Sequence, residues 1–122
     1  MVSPESFPRT LRLLHRAEFL KVQNQGRKVV VEPLLALALP NGRTDTRLGL
    51  TVSTKVGNAV VRVKLRRWLR EVFRKRRGLL PPGMDLVLIP RNGALDAGLA
   101  GLERAFVSIS ETLSRPRRER PR

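Results

Sequence analysis

One stretch limits what the rest of this chain can become: residues 58–77, NAVVRVKLRRWLREVFRKRR. Asn58 follows Gly57 and suits an N-cap, where its side-chain oxygen accepts an otherwise unpaired N–H of the first helical turn. At about 100° per residue, Val61, Leu65, Trp68, Leu69 and Val72 then fall on a single apolar stripe. Arg62, Arg66, Arg70 and Arg74 form an i, i+4 row on another side, widened by Arg67 and Arg77, and Glu71 is the only acid among them. Like charges at this spacing destabilise an isolated helix by roughly a few tenths of a kcal/mol per pair. Such a row is therefore expected to meet a polyanion; the competing reading is a solvated face on a basic protein.

Charge balance points the same way. Lys and Arg number 25 against 10 Asp and Glu, a net charge of +15 in 122 residues. That excess predicts a nucleic acid as partner, and the length fits one domain. We expect a single nucleic-acid-binding domain over 1–122, ordered from about 9 to 113, with a basic, flexible tail at 114–122, RPRRERPR being its charged part. A membrane is not expected: no apolar run approaches the roughly 18 residues a span needs. The opening MVSPESFPRTLRLLHR also lacks the basic-then-apolar order of a signal peptide. Cysteine is absent, which excludes disulfides and thiolate metal sites and is compatible with a cytoplasmic location. Nothing in the pattern requires a protein oligomer.

In chain order, residues 1–10 read as an irregular lead-in. A short helix is expected over 11–25, with Leu14, Phe19, Leu20 and Val22 apolar and Gly26 in a left-handed terminating position. Strands are expected at 28–31, 34–39 and 47–53. In the third, Leu48, Leu50 and Val52 point one way and Gly49, Thr51 and Ser53 the other. An antiparallel pairing of the second and third strands would leave a face of small side chains, a groove floor open to an extended ligand. The basic helix ends near Gly78, ahead of Pro81-Pro82-Gly83. A buried strand follows at 84–89, then a closing helix over about 96–113, on which Leu95, Leu99, Leu102, Phe106, Ile109 and Leu113 recur at helical spacing. Gly98 and Gly101 weaken its first turns. The order is α-β-β-β-α-β-α, an α+β fold with one layer of about four mostly antiparallel strands and helices packed on it.

The residues offer binding rather than bond breaking. A two-metal nuclease needs clustered carboxylates holding ions about 4 Å apart, and the ten acids are scattered. His15 is the only histidine and there is no tyrosine, too little for acid–base ribonuclease chemistry. No phosphate-binding glycine loop is present. We expect no catalytic and no metal-ligating residue in this chain. Guanidinium groups, by contrast, match phosphate oxygens in a two-pronged fork. The basic helix lacks exposed Asn and Gln, the side chains that read adenine in a DNA groove. Trp68 lies on the apolar stripe and reads as core; Phe19 reads equally well as core or as a base-stacking surface.

The segment 51–77, TVSTKVGNAVVRVKLRRWLREVFRKRR, resembles the signature of the bacterial ribonuclease P protein subunit: a strand ending in a VSKK-like run, a GNAV turn, then an Arg-Asn-Arg helix. AEFLKVQNQGR at 17–27 is similar to that family's first helix, and MDLVLIPR at 84–91 to its last strand. The resemblance implies a left-handed βαβ crossover, against the usual right-handed preference. It also implies partnership with a large catalytic RNA that removes the 5′ leader of precursor tRNA, with Mg²⁺ bound mainly by that RNA. On the matching positions it implies RNA binding by Lys55, Arg62, Lys64, Arg66, Arg67, Arg70 and Arg74, and a leader cleft that includes Phe19 and Leu37. Val63 departs from the motif's Asn, and Gln23 and Leu37 stand where some members carry further cleft aromatics. Outside this family, a structural ribosomal protein and a DNA-binding regulator are the alternative readings, the first favoured by small size, high charge and basic tail.

Overall fold

In the computed structural model, which describes residues 11–13 and 15–115, the arginine-rich segment forms one helix because both of its ends are specified locally. Asn58 Oδ1 accepts the Val61 N–H at 3.0 Å, and Pro81-Pro82 lies just beyond the short 3₁₀ turn Arg77–Leu79 that closes it. The described elements are α1 (Arg16–Gln25), β1 (Arg27–Val31), β2 (Leu34–Pro40), β3 (Arg47–Leu50), α2 (Ala59–Arg76), β4 (Met84–Pro90) and α3 (Ala94–Leu113). The α-β-β-β-α-β-α order and the α+β class agree with the sequence reading. The expected lead-in at 1–10, Leu14 and most of the tail lie outside the described residues; Ser114 and Arg115 are exposed.

The strands lie in the order β1-β2-β4-β3, antiparallel except for the parallel pair β3–β4, whose connection runs through α2. The expected antiparallel pairing of β2 with β3 is thus corrected: β4 stands between them. The reason is burial. Leu86 and Leu88 of β4 point into one apolar cluster, Val87 and Ile89 into the other. A strand that is apolar on both faces belongs in the interior of a sheet, whereas β3, with Gly49 on one face, can serve as an edge. The loop between β2 and β3 is held instead to the start of β4, with Asn41 N–H donating to Gly83 O at 2.9 Å.

The larger core lies between the sheet and the helices α2 and α3. Leu65, Leu69, Val72 and Phe73 of α2 are buried, and Val61 and Trp68 pack against the same cluster, as the stripe predicts. Each of the four fully buried side chains contributes roughly 1.5–3 kcal/mol by leaving water. Phe73 meets Phe106 of α3 edge-on, centroids 6.4 Å apart. The smaller core lies on the other face, where α1 brings Val22 onto Leu37 and Val87, with Leu13 beside them.

Four local expectations change, the first being the third strand, expected over 47–53, which ends at Leu50. The first helix starts at Arg16, not at residue 11, because Arg12 and Leu13 are drawn into a bridge with β3: Leu13 N–H donates to Leu48 O at 2.8 Å. Gly26 is extended (φ −73°, ψ 153°), not left-handed; what it needs is space, since a Cβ there would collide with Val22 O and press on Ala38. The closing helix begins at Ala94 and breaks at Gly98 (φ 70°, ψ 179°), a backbone shape a residue with a side chain rarely adopts. The break releases Leu95 and Leu99 from the inward face, and both remain exposed.

Candidate nucleic-acid interface

The site is built where the edge strand β3, helix α1 and helix α2 meet. Gly49 of β3 faces α1, and the Phe19 ring lies so close over it that a Cβ at Gly49 would meet the ring at 2.6 Å. Any larger residue there would have to displace the ring. Next to this contact opens a cavity of about 190 Å³ lined by Arg12, Leu13, Phe19, Leu48, Gly49, Leu50, Arg66 and Arg70. Its wall combines the Phe19 ring and aliphatic side chains with three guanidiniums, and among the described residues no acid lines it. Partial burial, then the neighbouring charges of Arg12 and Arg66, hold the Arg70 guanidinium below its ordinary pKa. Arg66 and Arg70, which make no ion pair among the described residues, stand beside Arg12 in a positive field that an anion would relax.

The same side of α2 extends this surface. Arg66, Arg67 and Arg70 make no ion pair among the described residues. Arg62 is half-buried, and its Nε finds no acceptor, a costly state for a charged donor and one that a phosphate oxygen would satisfy. Lys64 lies with its Nζ 5.1 Å from the Trp68 ring centre, so Trp68 is both core filler and a seat for a cation. Lys55 is exposed in the 3₁₀ turn Thr54–Val56 ahead of α2.

Two residues assigned to RNA or leader binding from the sequence have other surroundings. Arg74 is paired with Glu71, Nη2 to Oε1 at 2.6 Å, and that pairing holds the Glu71 carboxyl below the usual carboxylate range. Leu37 is buried against Val22 and Val87 and does not line the cavity; it supports α1 from beneath. Arg12 was not anticipated. Its role depends on the bridge to Leu48, a contact between residues 36 positions apart with no local sequence signal. Among the described residues, no three His, Asp or Glu side chains come together as a metal site would need, and no helix is long and apolar enough to cross a membrane.

Known proteins share this fold. The family model described as Ribonuclease P matches residues 7–114. The chain belongs to the ribonuclease P protein family. The ribonuclease P protein component of Thermotoga petrophila is 45% identical over 87 residues, covering 71% of this chain and 74% of that one. That of Gluconacetobacter diazotrophicus is 50% identical over 98 residues, covering 77% and 83%. The solved ribonuclease P protein of Thermotoga maritima superimposes with a TM-score of 0.78 at 31% identity, covering 85% of this chain and 98% of that one. Membership of the ribonuclease P family places the chain in bacterial tRNA 5′ processing, as the protein component of that enzyme.

Proposed function

We propose that this chain binds two RNAs at once: the α2 face of Arg62, Lys64, Arg66, Arg67 and Arg70, with Lys55 before it, docks on the catalytic RNA of ribonuclease P, and the cavity beside Phe19 holds the single-stranded 5′ leader of precursor tRNA. The observation that carries this reading is that Arg66 and Arg70, which make no ion pair among the described residues, converge with Arg12 around an aromatic ring and an edge strand. Guanidinium forks suit phosphate oxygens, and a ring face suits an unpaired base. Neither group breaks a phosphodiester bond at neutral pH, so cleavage is assigned to the partner RNA.

Mg²⁺ does not fit this chain's own residues. The cavity that would face the substrate is walled by three guanidiniums, which repel a divalent cation, and hard cations take carboxylate and carbonyl oxygens. The ion is therefore assigned to the RNA, and the protein's part is to neutralise backbone charge and fix the leader. The test is cleavage of precursor tRNA at low Mg²⁺, with the protein alone, the cognate RNA alone, and both. Cleavage at the mature 5′ end by the pair, at Mg²⁺ concentrations where the RNA alone is slow, is expected. Cleavage by the protein alone, or no gain from adding it, overturns the reading.

A further inference from the structure

A single guanidinium ties α1 to the sheet. Arg47 on β3 donates through Nη1 to Glu18 of α1 at 2.8 Å, and through Nε and Nη2 to both oxygens of Asp85 on β4, each at 2.8 Å. Asn41 Nδ2 adds a bond to Asp85 Oδ1 at 2.9 Å. The side chains of Arg47, Glu18 and Asp85 are 17, 24 and 10% exposed, so water competes weakly for these bonds. Each arm of the bridge adjoins one half of the ring contact: Glu18 directly precedes Phe19, and Arg47 stands two residues before Gly49.

We propose that the Glu18–Arg47 bridge is a positioning device for the cleft, selecting which side chain of α1 stands over Gly49. The alternative it selects against is visible. Leu20 follows Phe19 and is 41% exposed. The contacts that press α1 down, made by Leu13, Val22, Leu37 and Val87, are apolar and carry little directional preference. A turn of the helix about its axis by one residue, about 100°, would offer Leu20 in place of the aromatic ring. A two-pronged arginine with one fork fixed on Asp85 accepts Glu18 from one direction only, which makes the pair a register device of the kind buried ion pairs are best known for. Glu18 and Arg47 thus act through Phe19 and touch no RNA themselves.

This inference rests on the leader reading of the cleft for its consequence, but its geometry can be tested without it. The probe is the full chain with Glu18→Gln, which keeps an oxygen for the His15 N–H that Glu18 accepts at 3.3 Å. In the parent, the Phe19 ring at this distance is expected to displace the Gly49 Hα resonances by its ring current, and Phe19→Leu to remove that displacement. Glu18→Gln is expected to move the Gly49 resonances toward the Phe19→Leu values, and Arg47→Lys to do the same. A brace that served stability alone would lower the unfolding midpoint and leave the Gly49 resonances of the folded form in place, which overturns the proposal. In the holoenzyme, Glu18→Gln is expected to cut the preference for precursor over mature tRNA by roughly three- to tenfold, the loss falling on KM more than on kcat. If the Gly49 resonances move while neither Glu18→Gln nor Phe19→Leu changes that preference, the positioning stands and the leader reading falls.

Discussion

The two parts of α2, before and after Glu71, carry the same kind of residue and use it differently. In the first part, Arg66, Arg67 and Arg70 make no ion pair among the described residues, and Arg62 leaves Nε without an acceptor. In the second part the cations have acids. Arg74 and Lys75 share Glu71, at 2.6 and 3.5 Å, and Arg76 reaches across to Glu103 of α3 at 2.6 Å. An arginine with a carboxylate beside it is already neutralised and holds helices together; one without is still available to a phosphate. The contrast implies that docking energy is concentrated in the helix up to Arg70, next to the Phe19 cleft, and that the last turn belongs to the fold.

The sharpest way to break this comparison is to remove charge from the part of α2 before Glu71. With Arg66→Ala and Arg70→Ala combined, binding to the catalytic RNA is expected to fall by more than tenfold, since a bond from a charged donor contributes about 1.5–3 kcal/mol. Titrations at several salt concentrations read the mechanism. Each lost phosphate contact flattens the log–log slope by about 0.7 to 0.9, so the double variant should lose roughly 1.5. A slope equal to the parent's would mean that these side chains face water in the complex. The α2 fold should survive, because both side chains point away from Leu65, Leu69 and Val72 in the core.

The converse change sharpens it. Arg76→Ala removes a pair whose side chains are 48 and 30% exposed, and exposed pairs are worth about 0.2–1 kcal/mol. A small drop in the unfolding midpoint is expected, with the salt slope of RNA binding left near the parent's. If Arg76→Ala instead flattened the slope as much as Arg66→Ala alone, the division of the helix into a binding part and a structural part would be wrong.

Much of this division was legible in the sequence, because it is local. Asn58 as a cap, the stripe from Val61 to Val72 and the arginine row follow from a 3.6-residue period, whereas the pairing of Arg74 with Glu71 was not read and Arg74 was placed in the binding row. What was not legible depends on distant residues meeting. Glu103 sits 27 positions from Arg76. Asp85, Arg47 and Glu18 look like isolated charges until the sheet puts β4 beside β3 and α1 across both. The apolar run of β4 announced burial but not that the strand would separate β2 from β3, since two-faced burial does not say which neighbours supply it. Gly49 was readable as a small residue on one face of a strand, but not as the seat of Phe19, which lies 30 positions earlier.

The smallest expected effect probes the paired part from the acid side. The Arg74 guanidinium, and then Lys75, hold the Glu71 carboxyl below its usual range, and Arg43 does the same for Asp45. A carboxyl depressed in the folded state contributes stability at pH values above its unfolded pKa, about 4, and loses it as pH falls through the lower folded value. Unfolding midpoints should therefore be flat from neutral pH down to about 5 and decline below about 4. Glu71→Gln should remove part of the decline and leave the neutral midpoint nearly unchanged, because the side chain is exposed to water and its pair is screened. The same substitution releases Arg74 from its acid. If pairing is what keeps the last turns of α2 out of RNA binding, Glu71→Gln should slightly steepen the salt dependence of docking at neutral pH, and an unchanged slope would show that Arg74 points away from the RNA whether paired or not.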